Sequence, residues 1–417
     1  MMTASFDTEK YVKLQKEGIM NAVKRHNKLY FELGGKLFDD HHASRVLPGF
    51  APDTKIKMLS AIKDEAELII CVNSENIQNG RIRSDYNTLY TEDCIRLIRV
   101  YRELGFFVSG VVLTQYNEQP KAVEFLKRLK KMGEKVYRFW YIENYPNDLG
   151  KAIESFEKND FIETTKPVVV ITSSGSASGK LSTCLSQIYR EAKRGEIVGY
   201  AKYDIFPVWD LPTNHPVNLA FEAATADSKD RILVDSYYLE KYHKIVSNYN
   251  RDLDVFPIIK AVTDMVNCGF NSPTEMVINT MSQAIIDEDT VCQAAKAEVC
   301  RRYFTYLKQY CRGHIDEAPI KRVEEIMRSN GITLNDYELI PISRKWFNNH
   351  EGIVLQLKGN GFFFVERNED IIQSLEEKMK SELSILKGSY AHASFILSLE
   401  EEKKLKDLGI FLTCEKS

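Results

Sequence analysis

The chain has 417 residues, with 56 Lys and Arg against 59 Asp and Glu for a formal net charge of −3, 44% hydrophobic residues and 28% charged ones. This ordinary globular composition excludes disordered, collagen-like and coiled-coil classes, and at roughly 100–200 residues per domain it allows about two to four domains. The balanced charge excludes a nucleic-acid partner held through its phosphates, because no surplus of Lys and Arg is available to displace counterions.

Residues 1–10 are polar and lack the apolar centre of a secretory signal. The eight cysteines show no Cys-x-x-Cys pairs, so thiols in a reducing cytoplasm are expected. No apolar run approaches the ~18 residues of a membrane helix, and no membrane partner is expected. Short apolar runs at 29–33, 68–72, 107–113, 135–141 and 167–172 read as buried strands. Thr91 is placed to cap a helix whose apolar side is Cys94, Leu97, Ile98, Tyr101 and Leu104, and Ala122, Phe125, Leu126 and Leu129 repeat that spacing. The alternation predicts a Rossmann-like, doubly wound, mainly parallel α/β domain over 1–254. Helical periodicity then takes over across 255–331, with Cys292, Ala295, Val299, Tyr303, Tyr306 and Leu307 on one side. A small C-terminal α/β domain is expected over 332–417, with strands near 338–342, 352–357, 361–365 and 393–397 and a charged helix at 369–386.

The strongest local signal is the run from Val168 to Thr183, in which an apolar strand enters Ser173-Ser174-Gly175-Ser176-Ala177-Ser178-Gly179 and then a helix beginning at Lys180. A phosphate site needs that order: small residues let backbone N–H groups approach the anion, the helix N-terminus adds a favourable dipole, and a Lys adds charge. Gly175, Ser178, Gly179, Lys180, Ser182 and Thr183 are the candidate cofactor-binding residues, with ATP or another nucleotide and magnesium as the implied cofactor. The match to the G-x-x-x-x-G-K-[ST] phosphate loop is partial, since Ser174 takes the first Gly position and Leu181 the hydroxyl position. The competing reading is a plain Ser/Gly turn between a strand and its crossover helix.

A second cluster, Lys36, Asp39, Asp40, His42 and Arg45, follows the first strand, where open α/β sheets place ligands. Asp39, Asp40, His42 and Arg45 are candidate catalytic groups and Lys36 a substrate contact, expected on the same sheet edge as Lys180. A polar loop with an aspartate cap explains the same residues equally well. Zinc is disfavoured there, because the adjacent His41 and His42 do not easily reach one metal. A third cluster offers His215 as a general base and Asn218, Glu222, Asp227, Asn250 and Arg251 as contacts to a polar substrate, with Asp227 or Asp235 available to hold a nucleotide's metal. For His215 a purely structural hydrogen bond is an equal alternative.

Taken together, the segments Glu32 to Asp40, His42 to Phe50, Ser178-Gly179-Lys180, His215 to Asn218, Glu222 to Asp227, Asn248 to Asp252 and Ser272-Pro273-Thr274 resemble an uncharacterised bacterial cytosolic family, domain of unknown function eighteen-forty-six. The resemblance covers nearly the whole chain. It implies a Rossmann-like domain with a phosphate-loop-like turn, a helical insertion and a C-terminal α/β domain, here shorter than usual and ending in Leu408 to Glu415 with Phe411 where Asn is usual. The family's Gly/Pro-rich loop before Ser-Gly-Lys is replaced here by Ser174, Ser176 and Ala177. The functional expectation is a nucleotide- or phosphate-binding enzyme acting on a small polar metabolite, in the manner of an ATP-dependent synthetase or kinase. The alternative is a non-catalytic nucleotide or metabolite sensor, and a homo-oligomer is compatible with either.

Overall fold

A computed structural model of the chain describes residues 5–34, 37, 41–83, 88–175, 177–311, 315–333, 339–347, 350–357 and 362–366. Its packing divides the chain into two compact units, the first comprising Met1–Ser44, Pro48–Thr213 and Ile232–Asp287, the second Arg45–Leu47, Asn214–Arg231 and Glu288–Ser417. The expected helical stretch is thus shared, with 255–287 in the first unit and 288–331 in the second.

The first unit is built on six strands: β1 (Lys28–Leu33), β2 (Ala66–Asn73), β3 (Phe107–Tyr116), β4 (Val136–Trp140), β5 (Val168–Ser173) and β6 (Val198–Tyr203). They lie in the order β4-β3-β2-β5-β1-β6 and every neighbouring pair is parallel. Such strands are covered on both faces, which is why β2 and β5 read as unbroken apolar runs rather than alternating ones. On one face Tyr30, Ile69, Cys71, Val169 and Ile171 pack against Phe156, Cys184, Leu185, Ile188, Phe256 and Ile259. Those partners come from the helices Leu149–Lys158, Lys180–Ala192 and Asn250–Met265. The helices Tyr90–Glu103 and Pro120–Lys131 lie against β2, β3 and β4, and the Tyr101 hydroxyl reaches Thr172 Oγ1 at 3.3 Å, on the side of β5 opposite Ile171.

Two local expectations change. Thr91 does not cap its helix; Leu89 occupies the cap position without a side-chain bond, because Thr88–Leu89 is held extended by pairing with Ile82–Arg83. The sixth strand, β6, is not among the expected ones; its apolar stretch from Ile197 to Ala201 is interrupted by Gly199. Its Gly199 is required by crowding, since a Cβ there would stand 2.3 Å from the His26 ring.

The chain advances from β2 to β3 to β4 in one direction and from β5 to β6 in the other, so the two halves part between the carboxyl ends of β2 and β5. Open α/β sheets place their ligand crevice at such a point.

The second unit contains the helices Pro216–Ala224, Glu288–Cys311 and Ala318–Ser329 and an antiparallel sheet of Leu339–Phe347, His350–Leu357 and Phe362–Glu366 in chain order. The expected helix at 369–386 and strand at 393–397 fall outside the described residues. Among the described residues no helix is long and apolar enough to cross a membrane. None of Cys71, Cys94, Cys184, Cys268, Cys292 and Cys300 is in a disulfide.

Truncating Ile171, fully buried between the two helix layers, is expected to cost about 2–5 kcal/mol in the Ile171→Ala variant, read by urea denaturation. Ile245→Ala, at a side chain 71% exposed, is expected to stay within about 0.5 kcal/mol of the parent.

Candidate functional site

The turn from β5 into the helix Lys180–Ala192 is held from both sides. Thr114 at the end of β3 donates to the Ser178 carbonyl at 2.7 Å, and Asn73 at the end of β2 donates to the Ala177 carbonyl at 3.0 Å. Ser173 Oγ donates to the Gly175 carbonyl at 2.8 Å. Gly179 takes a left-handed φ of 77° at the helix cap, and a Cβ there would stand 2.8 Å from Thr114 Cβ, so only glycine suits the position.

Within this turn the hydroxyls of Ser174 and Ser178 are buried without a hydrogen-bond partner among the described residues, the two being 2% and 4% exposed. Lys180 Nζ lies 3.5 Å from Ser173 Oγ and has no carboxylate partner among the described residues. Buried hydroxyls are ordinarily satisfied, so these two stand out beside a half-buried cation at the start of a 13-residue helix. Ser182 Oγ and Thr183 Oγ1, in contrast, donate back to the Gly179 carbonyl at 3.0 and 2.9 Å. Below the turn, burial pushes the Cys71 thiol up to about 12, against the pull of its bond to Thr183 and the Lys180 charge, so it remains an inert thiol.

A second polar group stands at the carboxyl ends of β1 and β6. Glu32, buried, accepts from the Tyr200 hydroxyl at 2.7 Å. Lys202 Nζ sits between Asp252, at 2.6 and 2.7 Å, and Asp204, at 2.8 Å. Burial alone would push this amine down, but the charges of Asp204, Asp252 and Glu32 outweigh it and hold the pKa well above that of an ordinary lysine. Burial and then the Glu32 charge raise the Tyr145 and Tyr200 hydroxyls. Asp204 and Asp252 line a narrow cleft of about 10 Å³ with Trp209, Asn248 and Val277. Gly34 follows β1 so closely under this group that a Cβ would overlap Asp204 Oδ1.

Lys202 and Asp204 escaped sequence reasoning, because β6 itself did. The only sequence signal was Lys202-Tyr203-Asp204 directly after alternating Val198, Tyr200 and their neighbours.

The remaining candidates are dispersed. Lys36, Asp39 and Asp40 lie outside the described residues. His42, in the helix His41–Val46, sets its ring edge-on to Phe206 at 5.6 Å. Arg251 lies over the Tyr249 ring at 5.2 Å, and Asn250 begins the helix Asn250–Met265. In the second unit, Arg45 holds Glu298 with two bonds of 2.8 and 3.1 Å, and Arg301 and Arg302 share that buried carboxylate. Glu222 is paired with Arg322, Asp227 accepts from the Tyr306 hydroxyl at 3.1 Å, and Asn218 is fully buried. His215 caps the helix Pro216–Ala224 through Nδ1 and meets Glu288 through Nε2. In the first unit, Asp235 caps the helix Ser236–Tyr242 by accepting the Tyr238 amide at Oδ1, and its Oδ2 accepts the amide and the hydroxyl of Thr274.

The fold and the site define an α/β protein with a wholly parallel six-stranded sheet and its polar groups gathered at the carboxyl edge. Residues 4–331 match the family model described as "Domain of unknown function DUF1846, N-terminal", and the chain belongs to that family. It is 34% identical to a UPF0371 protein of Clostridium tetani over 99% of this chain and 98% of the relative. It is 43% identical to one of Fusobacterium nucleatum over 82% of this chain and 69% of the relative, and 42% identical to one of Clostridium botulinum over 82% and 70%.

Replacing Lys202 by Met leaves Asp204 and Asp252 facing each other without a cation, and Lys202→Met is expected to lose about 3–5 kcal/mol of stability. Adding Asp252→Asn should recover part of it, as read by thermal melts of the single and double variants. Because the Lys202 pKa is raised on folding, its contribution is fully present below the ordinary lysine value of ~10.4 and fades only as pH rises beyond it.

Proposed function

We propose that this protein binds the phosphate of a small molecule, a nucleotide such as ATP foremost, at the turn from Gly175 to Thr183. The observation that carries the reading is the pair of orphaned buried hydroxyls, Ser174 and Ser178, beside a lysine without a carboxylate partner among the described residues. Lys180 would supply charge, and the free N–H groups of the helix start would supply directed donors. A polar metabolite would then occupy the same sheet edge, toward the ends of β1 and β6 where Asp204 and Asp252 hold Lys202. On this reading the protein is an enzyme of the ATP-dependent synthetase or kinase kind, working in the reducing cytoplasm that its thiols suit.

The fit to magnesium is poorer than the fit to phosphate. Leu181 stands where a phosphate loop offers a metal-binding hydroxyl. This observation favours a second reading, in which the protein senses a nucleotide or phosphorylated metabolite without turning it over.

Titration calorimetry with ATP, ADP and inorganic phosphate, with and without Mg²⁺, tests both. Lys180→Ala is expected to weaken binding about 10–100-fold, from ~1.5–3 kcal/mol for one charge-assisted bond, with little change in melting temperature. Binding without turnover across a metabolite panel would select the sensor. If none of the three ligands binds the parent protein, or if Lys180→Ala melts early while binding unchanged, the phosphate reading is wrong.

A further inference from the structure

A group in the second unit combines three kinds of metal ligand. His215 stands at the cap of the helix Pro216–Ala224, while Glu288 and Cys292 lie four residues apart in the first turns of the helix Glu288–Cys311, hence on one face. His215 Nε2 is 2.5 Å from Glu288 Oε1 and 3.6 Å from Cys292 Sγ, and that sulfur is 3.8 Å from Glu288 Oε1. The three donor atoms thus converge on one point.

We propose that His215, Glu288 and Cys292 form a three-ligand site for a borderline-soft divalent cation, zinc by the character of its ligands. Zinc bonds of ~2.3 Å to sulfur and ~2.0–2.1 Å to nitrogen and oxygen give tetrahedral edges of about 3.6 Å to the sulfur and about 3.3 Å between nitrogen and oxygen. Both sulfur edges already fall close to this. The nitrogen–oxygen edge has to open, and Glu288, whose side chain is 53% exposed, is free to swing by that amount. An imidazole with a thiolate selects zinc over magnesium or calcium, which prefer oxygen alone.

His215 Nδ1 accepts from the Val217 amide at 3.3 Å, so the neutral ring carries its proton on Nε2 and donates it to the carboxylate. On metal binding that proton moves to Nδ1, the long cap bond to Val217 is given up, and the Cys292 thiol releases its proton to solvent as the sulfur–metal bond forms. With these three ligands, the ones offered among the described residues, the fourth position is left for water or a ligand atom, the pattern of a reactive rather than a closed structural zinc site. The reading is independent of the phosphate turn in the first unit.

Cobalt(II) added to the full, tag-free, metal-stripped chain tests the assignment. One cobalt per chain with a thiolate-to-cobalt charge-transfer band is expected, lost in Cys292→Ser and kept in Cys268→Ser. His215→Gln and Glu288→Gln should each weaken zinc binding by at least ~100-fold, beyond the usual effect of outer-shell partners, with the helical circular dichroism unchanged. No band in the parent chain, or the same band persisting in Cys292→Ser, overturns the proposal.

Discussion

Because all six strands of the central sheet run in parallel, each carboxyl end emerges on the same edge, and the segments that follow have to share that edge. The apolar groups of the strands are consumed by the helices on both faces, so chemistry has nowhere else in the sheet to sit. The parting of the chain between β2 and β5 then brings the Ser173–Lys180 turn beside the ends of β2 and β3, whose Asn73 and Thr114 hold its backbone.

Two lysines on this edge are treated in opposite ways. Lys202 is flanked by Asp204 and Asp252, which neutralise it and make its burial tolerable. Among the described residues Lys180 meets the Ser173 hydroxyl at 3.5 Å and no carboxylate. A buried cation requires its counter-charges within the protein, whereas a half-buried one can leave its charge to be met from solution.

The sheet was legible in sequence where burial on both faces demanded it: the runs at 68–72 and 167–172 fall inside β2 and β5. β6 was not, because Gly199, Tyr200 and Lys202 break the apolar run for reasons of crowding and edge chemistry. With it went Lys202 and Asp204. The turn's composition was visible, but the packing of Tyr90 against Gly175 and of Thr114 against Gly179 joins it to distant segments. Pairings such as Arg45 with Glu298 and His215 with Glu288 join residues far apart in the chain, and no local spacing encodes them.

At the end of β2, one side chain does two jobs. The Asn73 oxygen accepts the first amides of the helix Ser74–Gln78, while its nitrogen donates to Gln115 and to the Ala177 carbonyl in the turn. A carboxylate of the same shape would keep the helix start and release the turn, because it has no hydrogen to give. A methyl group would release both. The amide is therefore a clasp between two otherwise separate pieces of backbone, and whatever displaces the turn must also work against the start of that helix.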